Sequence, residues 1–173
     1  MQKHLNYETE RLLLRATSLE DAEFIFELLN TPKWLQFIGD RNITSLKSAE
    51  DYIMMHIFPI FQKNGFGNFT VIRKSDGRKI GSCGLYDREG VEGIDIGFAF
   101  LPAYEKQGYA LESASKIKAI AVSDFSLLQL SAITNPENFG SQKLLEKLEF
   151  QFVEMISLPK SSESLMLFKW KSN

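Results

Sequence analysis

Residues Ile94 to Glu112 read IDIGFAFLPAYEKQGYALE. The apolar run from Ile94 to Leu101 is bounded by glycine before it and proline after it, the pattern of a buried strand. Pro102 ends the ladder, because it has no N–H to donate and fixes its own φ. From Gln107-Gly108-Tyr109-Ala110 onward alanine, glutamate and lysine predominate, which predicts a helix from about Gln107 to Ser123. The product is a strand, a tight turn and a helix N-terminus whose first amides lack intrahelical partners. Gly108 and Ala110 carry little side chain, so a large group can approach the backbone there. Unpaired N–H groups at the positive end of a helix dipole suit an anion, phosphate above all. The plainer reading, a turn glycine with no ligand, stands beside it.

Working outward, Phe69–Arg73 and Lys79–Tyr86 read as strands joined by Ser75-Asp76-Gly77, a hairpin signal. On the other side, Leu127–Thr134 is a strand, and Asn135-Pro136-Glu137-Asn138 turns into a helix over Phe139–Leu148. Two further strands, Phe152–Leu158 and Leu165–Trp170, close the chain. At the start, Tyr7–Ala16 reads as one strand, with Leu12 and Leu14 on one face. Ser18 caps an amphipathic helix that ends near Asn30. Residues Lys33 to Asn42 are a short helix or a loop. Thr44 or Ser45 caps a helix to about Asn64, in which Pro59 predicts a kink or an early end near Phe58. The sum is an α/β chain of the mixed α+β kind, with about seven mostly antiparallel strands and about four helices. The strand–helix–strand unit from Ile94 to Thr134 pairs its two strands in parallel by a right-handed crossover.

A length of 173 residues predicts one domain over 1–173. Lysine and arginine number 20 against 22 acidic residues, so no global field favours nucleic acid or an anionic membrane. The longest apolar runs fall short of a membrane span, and MQKHLNYETER lacks the apolar centre of a signal peptide. With a single cysteine, Cys83, these features predict a cytoplasmic protein. No metal is expected, because the two histidines, His4 and His56, and Cys83 have no ligand spacing. Cys83 reads as a small buried hydrophobe, and His56 as a packed or half-exposed helical residue.

Three groups of residues carry a resemblance to a family. They are Thr9-Glu10-Arg11-Leu12-Leu13-Leu14-Arg15; Ile96-Gly97-Phe98 followed by Gly108-Tyr109-Ala110-Leu111-Glu112; and Asn138-Phe139-Gly140-Ser141 with Leu145-Glu146-Lys147-Leu148 and Phe150. In this order and spacing the chain resembles the GNAT superfamily of acyl-CoA-dependent N-acetyltransferases. Within it, the likeness is to the branch of the ribosomal-protein alanine acetyltransferases RimJ and RimL.

The resemblance implies acetyl-CoA as co-substrate, lying where the fourth and fifth predicted strands splay apart, and an amine acceptor. Lys106, Gln107, Gly108, Tyr109 and Ala110 would bind its pyrophosphate through main-chain amides. Its pantetheine arm would pair with the strand around Ile96, Gly97, Phe98 and Phe100, as an added strand does. The Phe98 N–H would face the thioester oxygen, and Asn138 would touch the cofactor from the far side. Ser141 stands where the branch has a serine near the thiol, whereas Leu145 replaces the tyrosine many members use. Departure of CoA as an unaided thiolate is the alternative. Glu105 adds a negative charge beside the expected pyrophosphate, which Lys106 offsets. Leu148-Glu149-Phe150 replaces the usual Leu-Gly-Phe, so a different helix cap is expected.

An attacking amine must shed a proton, and Asp95 is the candidate base, against the plainer reading of a solvated carboxylate. For Glu92 and Glu112 the plainer readings, solvation and helix-end hydrogen bonding, are preferred. Trp34, Phe37 and Tyr86 are expected to shape the acceptor side. The acceptor is a protein N-terminus or a small amine, and the protein a monomer or homodimer. A non-catalytic acyl-CoA-binding or interaction module with the same fold is the alternative reading.

Overall fold

A computed structural model describes residues 5–172, so His4 lies outside the described residues. The expected first strand is a hairpin. β1 (Asn6–Glu8) runs antiparallel to β2 (Leu12–Ala16), with Asn6 opposite Arg15. The break comes from Thr9 and Arg11, which leave the ladder to hold Glu112. The Thr9 hydroxyl donates to Glu112 Oε1 at 2.6 Å, the Arg11 amide to the same oxygen at 2.9 Å, and Arg11 Nε to Oε2 at 2.6 Å. The plain reading of Glu112 as a hydrogen-bonding residue therefore holds.

Helix α1 (Ala22–Leu29) follows a short 3₁₀ turn. The ambiguous segment is helical in part. Pro32 sits in the first turn of α2 (Pro32–Phe37), and Thr31 caps it by accepting from the Trp34 amide. Ser45, not Thr44, caps α3 (Leu46–Tyr52). Pro59 neither ends this helix nor stops it near Phe58. A π-helical turn, Ile53–Ile57, sits just before it, and α4 (Phe58–Asn64) resumes with the proline in its first turn. A wider turn at that point is a known way to absorb a missing N–H.

β3 (Asn68–Arg73) and β4 (Lys79–Asp87) form the expected hairpin, with Gly77 at φ +69°. β5 (Ile94–Phe100) pairs antiparallel with β4, then α5 (Tyr109–Ser123) crosses to β6 (Gln129–Thr134). The last elements are α6 (Phe139–Lys147), β7 (Gln151–Ile156) and β8 (Leu165–Lys171). The eight strands of the described residues make one sheet in the order β1-β2-β3-β4-β5-β6-β8-β7, and β5 and β6 are its parallel pair.

Alternation along the strands gives the sheet two faces. Leu12, Leu14, Val71, Leu85 and Ile96 pack on one side with Ile117 of α5 and Leu145 of α6. Ile25, Leu28, Ile53, Ile57 and Leu101 form a second cluster among α1, α3 and the π turn on the other. The cap of α6 departs from expectation. Glu149 takes the left-handed conformation at φ +69°, and the Phe150 amide reaches back to the Leu145 carbonyl at 2.9 Å. The cap keeps the glycine geometry although the residue is glutamate, and Lys118 Nζ ties it down by donating to the Leu148 carbonyl at 2.8 Å. Among the described residues no helix is long and apolar enough to cross a membrane.

Candidate active site

β5 and β6 hold together at one point. Their ladder has a single registered pair, Asp95 with Ser131, among the described residues. Beyond it the strands diverge. On the other edge, the Leu101 amide donates to the Ile80 carbonyl at 2.9 Å, in unbroken register with the rest of the β4–β5 ladder. Since polar groups alternate along a strand, Asp95, Gly97, Ala99 and Leu101 turn their amides toward β4. Ile96, Phe98 and Phe100 therefore turn theirs toward β6, and past Ile96 the sheet has no strand to receive them. The side chains alternate the other way: Ile96 points into the core, while Asp95 and Gly97 share a face with Tyr86. Gly97 has to be glycine there, because a Cβ would lie 2.9 Å from the Tyr86 ring.

A groove of about 500 Å³ runs from this gap along α5 and α6. Phe98, Phe100, Gly108, Ala110, Asn138 and Ser141 line it, with Lys106, Lys143 and Lys147 along its rim. At its far end the turn before α5 is shaped by two left-handed residues, Lys106 at φ +58° and Gly108 at φ +84°. The first α5 amide to find a helical acceptor is that of Glu112, bonded to the Gly108 carbonyl at 3.0 Å. The amides of Tyr109, Ala110 and Leu111 have no acceptor among the described residues. Arg11 Nη1 braces the turn from behind through the Gln107 carbonyl, 2.9 Å away. The negative charge of Glu105 is offset by Lys33, with which it pairs, and not by Lys106 as the sequence suggested. α5 begins at Tyr109, so Gln107 belongs to the turn, and its amide side chain donates to the Ala103 carbonyl.

On the other face of the sheet a chamber of about 460 Å³ meets the groove, and Trp34, Phe37, Phe98, Asn138 and Ser141 line both. Tyr86 stands in this chamber. It is held by a buried chain of hydrogen bonds: Tyr86 Oη donates to Asn68, Asn68 Nδ2 to Thr17 at 2.8 Å, Thr17 and Thr70 share a bond of 2.9 Å, and Thr70 donates to Asp21. Burial drives the Tyr86 phenol far above its ordinary range, so it stays protonated. Asp95 opens onto the same chamber, 1 % exposed, and touches both nitrogens of the Arg88 fork at 3.3 Å. Burial pushes its carboxyl upward, against the pull of Arg88. It is not the solvated carboxylate of the plainer reading. Glu92 is: it lies exposed in an ion pair with Lys169.

Asn138 caps α6 by accepting from the Ser141 amide at 3.2 Å, and the Ser141 side chain, half buried, lines both cavities. Leu145 is fully buried beneath it. Cys83 is buried, and its thiol is pushed up to about 12 by that burial, which removes it as a nucleophile. The sequence missed several chamber residues. Arg88 and Glu163 come from loops, His56 reaches it from the π turn, exposed and stacked on Tyr52, and Thr134 closes it from the end of β6. Pro59, read as a kink or an early helix end, was the one sequence signal near any of these.

The donors of the groove suit a ligand that is an extended amide chain at one end and a diphosphate at the other. Comparison with known proteins agrees. Residues 11–151 match the acetyltransferase (GNAT) domain family. The chain belongs to that family of N-acetyltransferases, and its mixed sheet with one parallel pair is the GNAT fold. It is 30% identical over 145 residues, 83% of this chain and 80% of the relative, to the uncharacterised N-acetyltransferase p20 of Bacillus licheniformis. In structure it resembles a ribosomal-protein-S5-alanine acetyltransferase from Vibrio fischeri, with TM-score 0.81, 16% identity and 98% and 97% of the two chains covered. It also resembles RimL, a ribosomal L7/L12 α-N-protein acetyltransferase, in complex with coenzyme A. There the TM-score is 0.80 at 14% identity, with 95% and 96% covered.

Proposed function

We propose that the protein transfers the acetyl group of acetyl-CoA to a primary amine, by direct attack with both substrates bound. The observation that carries this reading is the opening of β5 from β6 after one pair, which leaves Phe98 and Phe100 amides facing a groove that joins a separate chamber. Acetyl-CoA supplies an acetyl group activated as a thioester. The Tyr109, Ala110 and Leu111 amides with Gly108 hold its diphosphate, and Phe98 and Phe100 its pantetheine arm. The Phe98 amide also donates to the acyl oxygen as charge develops on it, an effect often worth ~3 kcal/mol. That a RimL complex contains coenzyme A supports the same assignment.

The amine enters through the chamber, between Trp34, Phe37 and Tyr86. Asp95 takes its proton, directly or through water, while Arg88 fixes the carboxylate's orientation. A carboxyl raised by burial is a better base near neutral pH than an exposed one. Ser141 lines the groove on the side of α6, beside the path of the pantetheine arm. The chamber suits a protein N-terminus as well as a small amine, and the fold likeness to ribosomal-protein acetyltransferases favours the former as the first acceptor to try.

The test is release of CoA, with mass detection of products, on a panel of N-terminal peptides and small amines. Amine-dependent release above hydrolysis is expected. A panel that gives none, from protein that binds CoA, contradicts the reading. One observation favours a binding module without turnover, namely the sealing of Asp95 by Arg88. In that case Asp95→Asn changes nothing measurable. In the enzyme it lowers kcat at least 100-fold and leaves CoA affinity intact.

A further inference from the structure

From the geometry of β6 we infer that the Thr134 hydroxyl is the hydrogen-bond donor to the sulfur that leaves when the acetyl group is transferred. This rests on the reading of the groove as the acetyl-CoA site. Thr134 is the last residue of β6 and is 6 % exposed, yet its Oγ1 has no hydrogen-bond partner among the described residues. A buried hydroxyl left unpaired carries a desolvation cost. Apolar residues of similar shape avoid that cost, so the position asks for a ligand atom.

Position says which one. β5 and β6 are parallel and registered at Asp95 and Ser131. Counting three residues along each strand from that pair brings Phe98 opposite Thr134, across the opening gap. The amide of Phe98 faces the gap from one bank, and Thr134 closes the other. Thr134 also shares a strand face with Leu130 and Ala132, the face on which Leu145 packs. Leu145 can donate nothing, and Ser141, only half buried, can satisfy its hydroxyl with water. Turning Thr134 by one rotamer well places its hydroxyl where its methyl stood, a small adjustment open to a side chain at the end of a strand.

In the reaction the amine nitrogen bonds to the acetyl carbon, and the carbon–sulfur bond breaks with its electron pair passing to sulfur. The Thr134 hydroxyl donates to that sulfur. The amine's surplus proton leaves through the chamber carboxylate, and CoA departs as thiolate or, after taking a proton from water, as thiol.

The test is calorimetry at pH 9 with CoA and with desulfo-CoA, in which hydrogen replaces the thiol. The chains compared are wild type, Thr134→Val and Thr134→Ser. A hydrogen bond to a charged group predicts that wild type prefers CoA about tenfold or more, that valine abolishes this margin, and that serine keeps it. The apo valine variant is expected to melt at the wild-type temperature or above, since it loses an unpaired polar atom. Should it fail to fold, Thr134→Ala takes its place. The thiol of CoA bound to wild type should also titrate below that of free CoA. A margin that survives in the valine or alanine variant overturns the proposal while leaving the CoA site intact. Wild type that binds neither ligand overturns both.

Discussion

Glu149 occupies a backbone well that costs an L-residue roughly 1 kcal/mol, and its ion pair with Lys118 is mostly exposed and repays little. Glu149→Gly should therefore raise stability by about 1 kcal/mol, seen as a melting temperature ~2–4 °C higher. An unchanged or lower value would contradict the cap geometry. Gly108 is the opposite case. At φ +84° an alanine is strained, and its Cβ would lie 3.1 Å from Arg11 Nη2, whose neighbour Nη1 braces the Gln107 carbonyl. Gly108→Ala should cost about 1 kcal/mol of stability and at least tenfold in CoA affinity by calorimetry, because it disturbs the amides proposed to hold the diphosphate. At this scale the sequence was readable where a residue type implies a backbone state. Gly108 before a helix announced its turn. The partner of Glu105 was unreadable, because Lys33 is distant in sequence and arrives through a short helix whose existence was itself ambiguous.

The elements behind the site are joined by one buried carboxylate. Asp21, fully buried at the start of α1, accepts from Arg15 at 2.6 Å, Lys79 at 2.7 Å and Thr70 at 2.9 Å. Burial alone would raise its carboxyl, but the hydrogen bond from Lys79, the Ser18 amide and the charge of Arg15 outweigh burial and hold it below the ordinary aspartate range. A depressed folded pKa stabilises the fold above the unfolded value, roughly 4, and that contribution is lost as pH falls through the depressed one. Asp21→Asn should cost about 3 kcal/mol or more near neutral pH by denaturant titration and flatten the acid limb of stability below about pH 4. Because the chain Asp21–Thr70–Thr17–Asn68 ends on Tyr86, the same variant should raise the KM of the acceptor. Asp95 carries a different signature: only its carboxylate form accepts a proton, so the acid limb of kcat should lie above pH ~4 and vanish in Asp95→Asn. Helices and strands were readable from period and caps, as Ser45 and the Gly77 hairpin show. The split of the first strand was not, since it is caused by Thr9 and Arg11 reaching Glu112, a contact between sequence-distant residues.

For the whole molecule, the order of elements and one parallel crossover were enough to set the sheet, and three spaced motifs were enough to suggest the family. Trp34, Phe37, Tyr86 and Asp95 of the chamber were named from the sequence, but the rest of its wall was not legible, because it comes from the π turn, from the segment after α2 and from the loop between β7 and β8, where no periodic pattern constrains side chains. The site joins those walls to a defect in the sheet. Pairing that ends after Asp95 and Ser131 leaves main-chain groups, which any residue possesses, open to a ligand. That defect is tested most directly by a crystal structure of the protein with CoA bound. The pantetheine arm is expected to run beside β5 with hydrogen bonds to the Phe98 and Phe100 backbone, and the diphosphate to lie on the amides following Gly108. CoA bound elsewhere, or β5 and β6 closed into a continuous ladder past Ile96, would contradict that expectation.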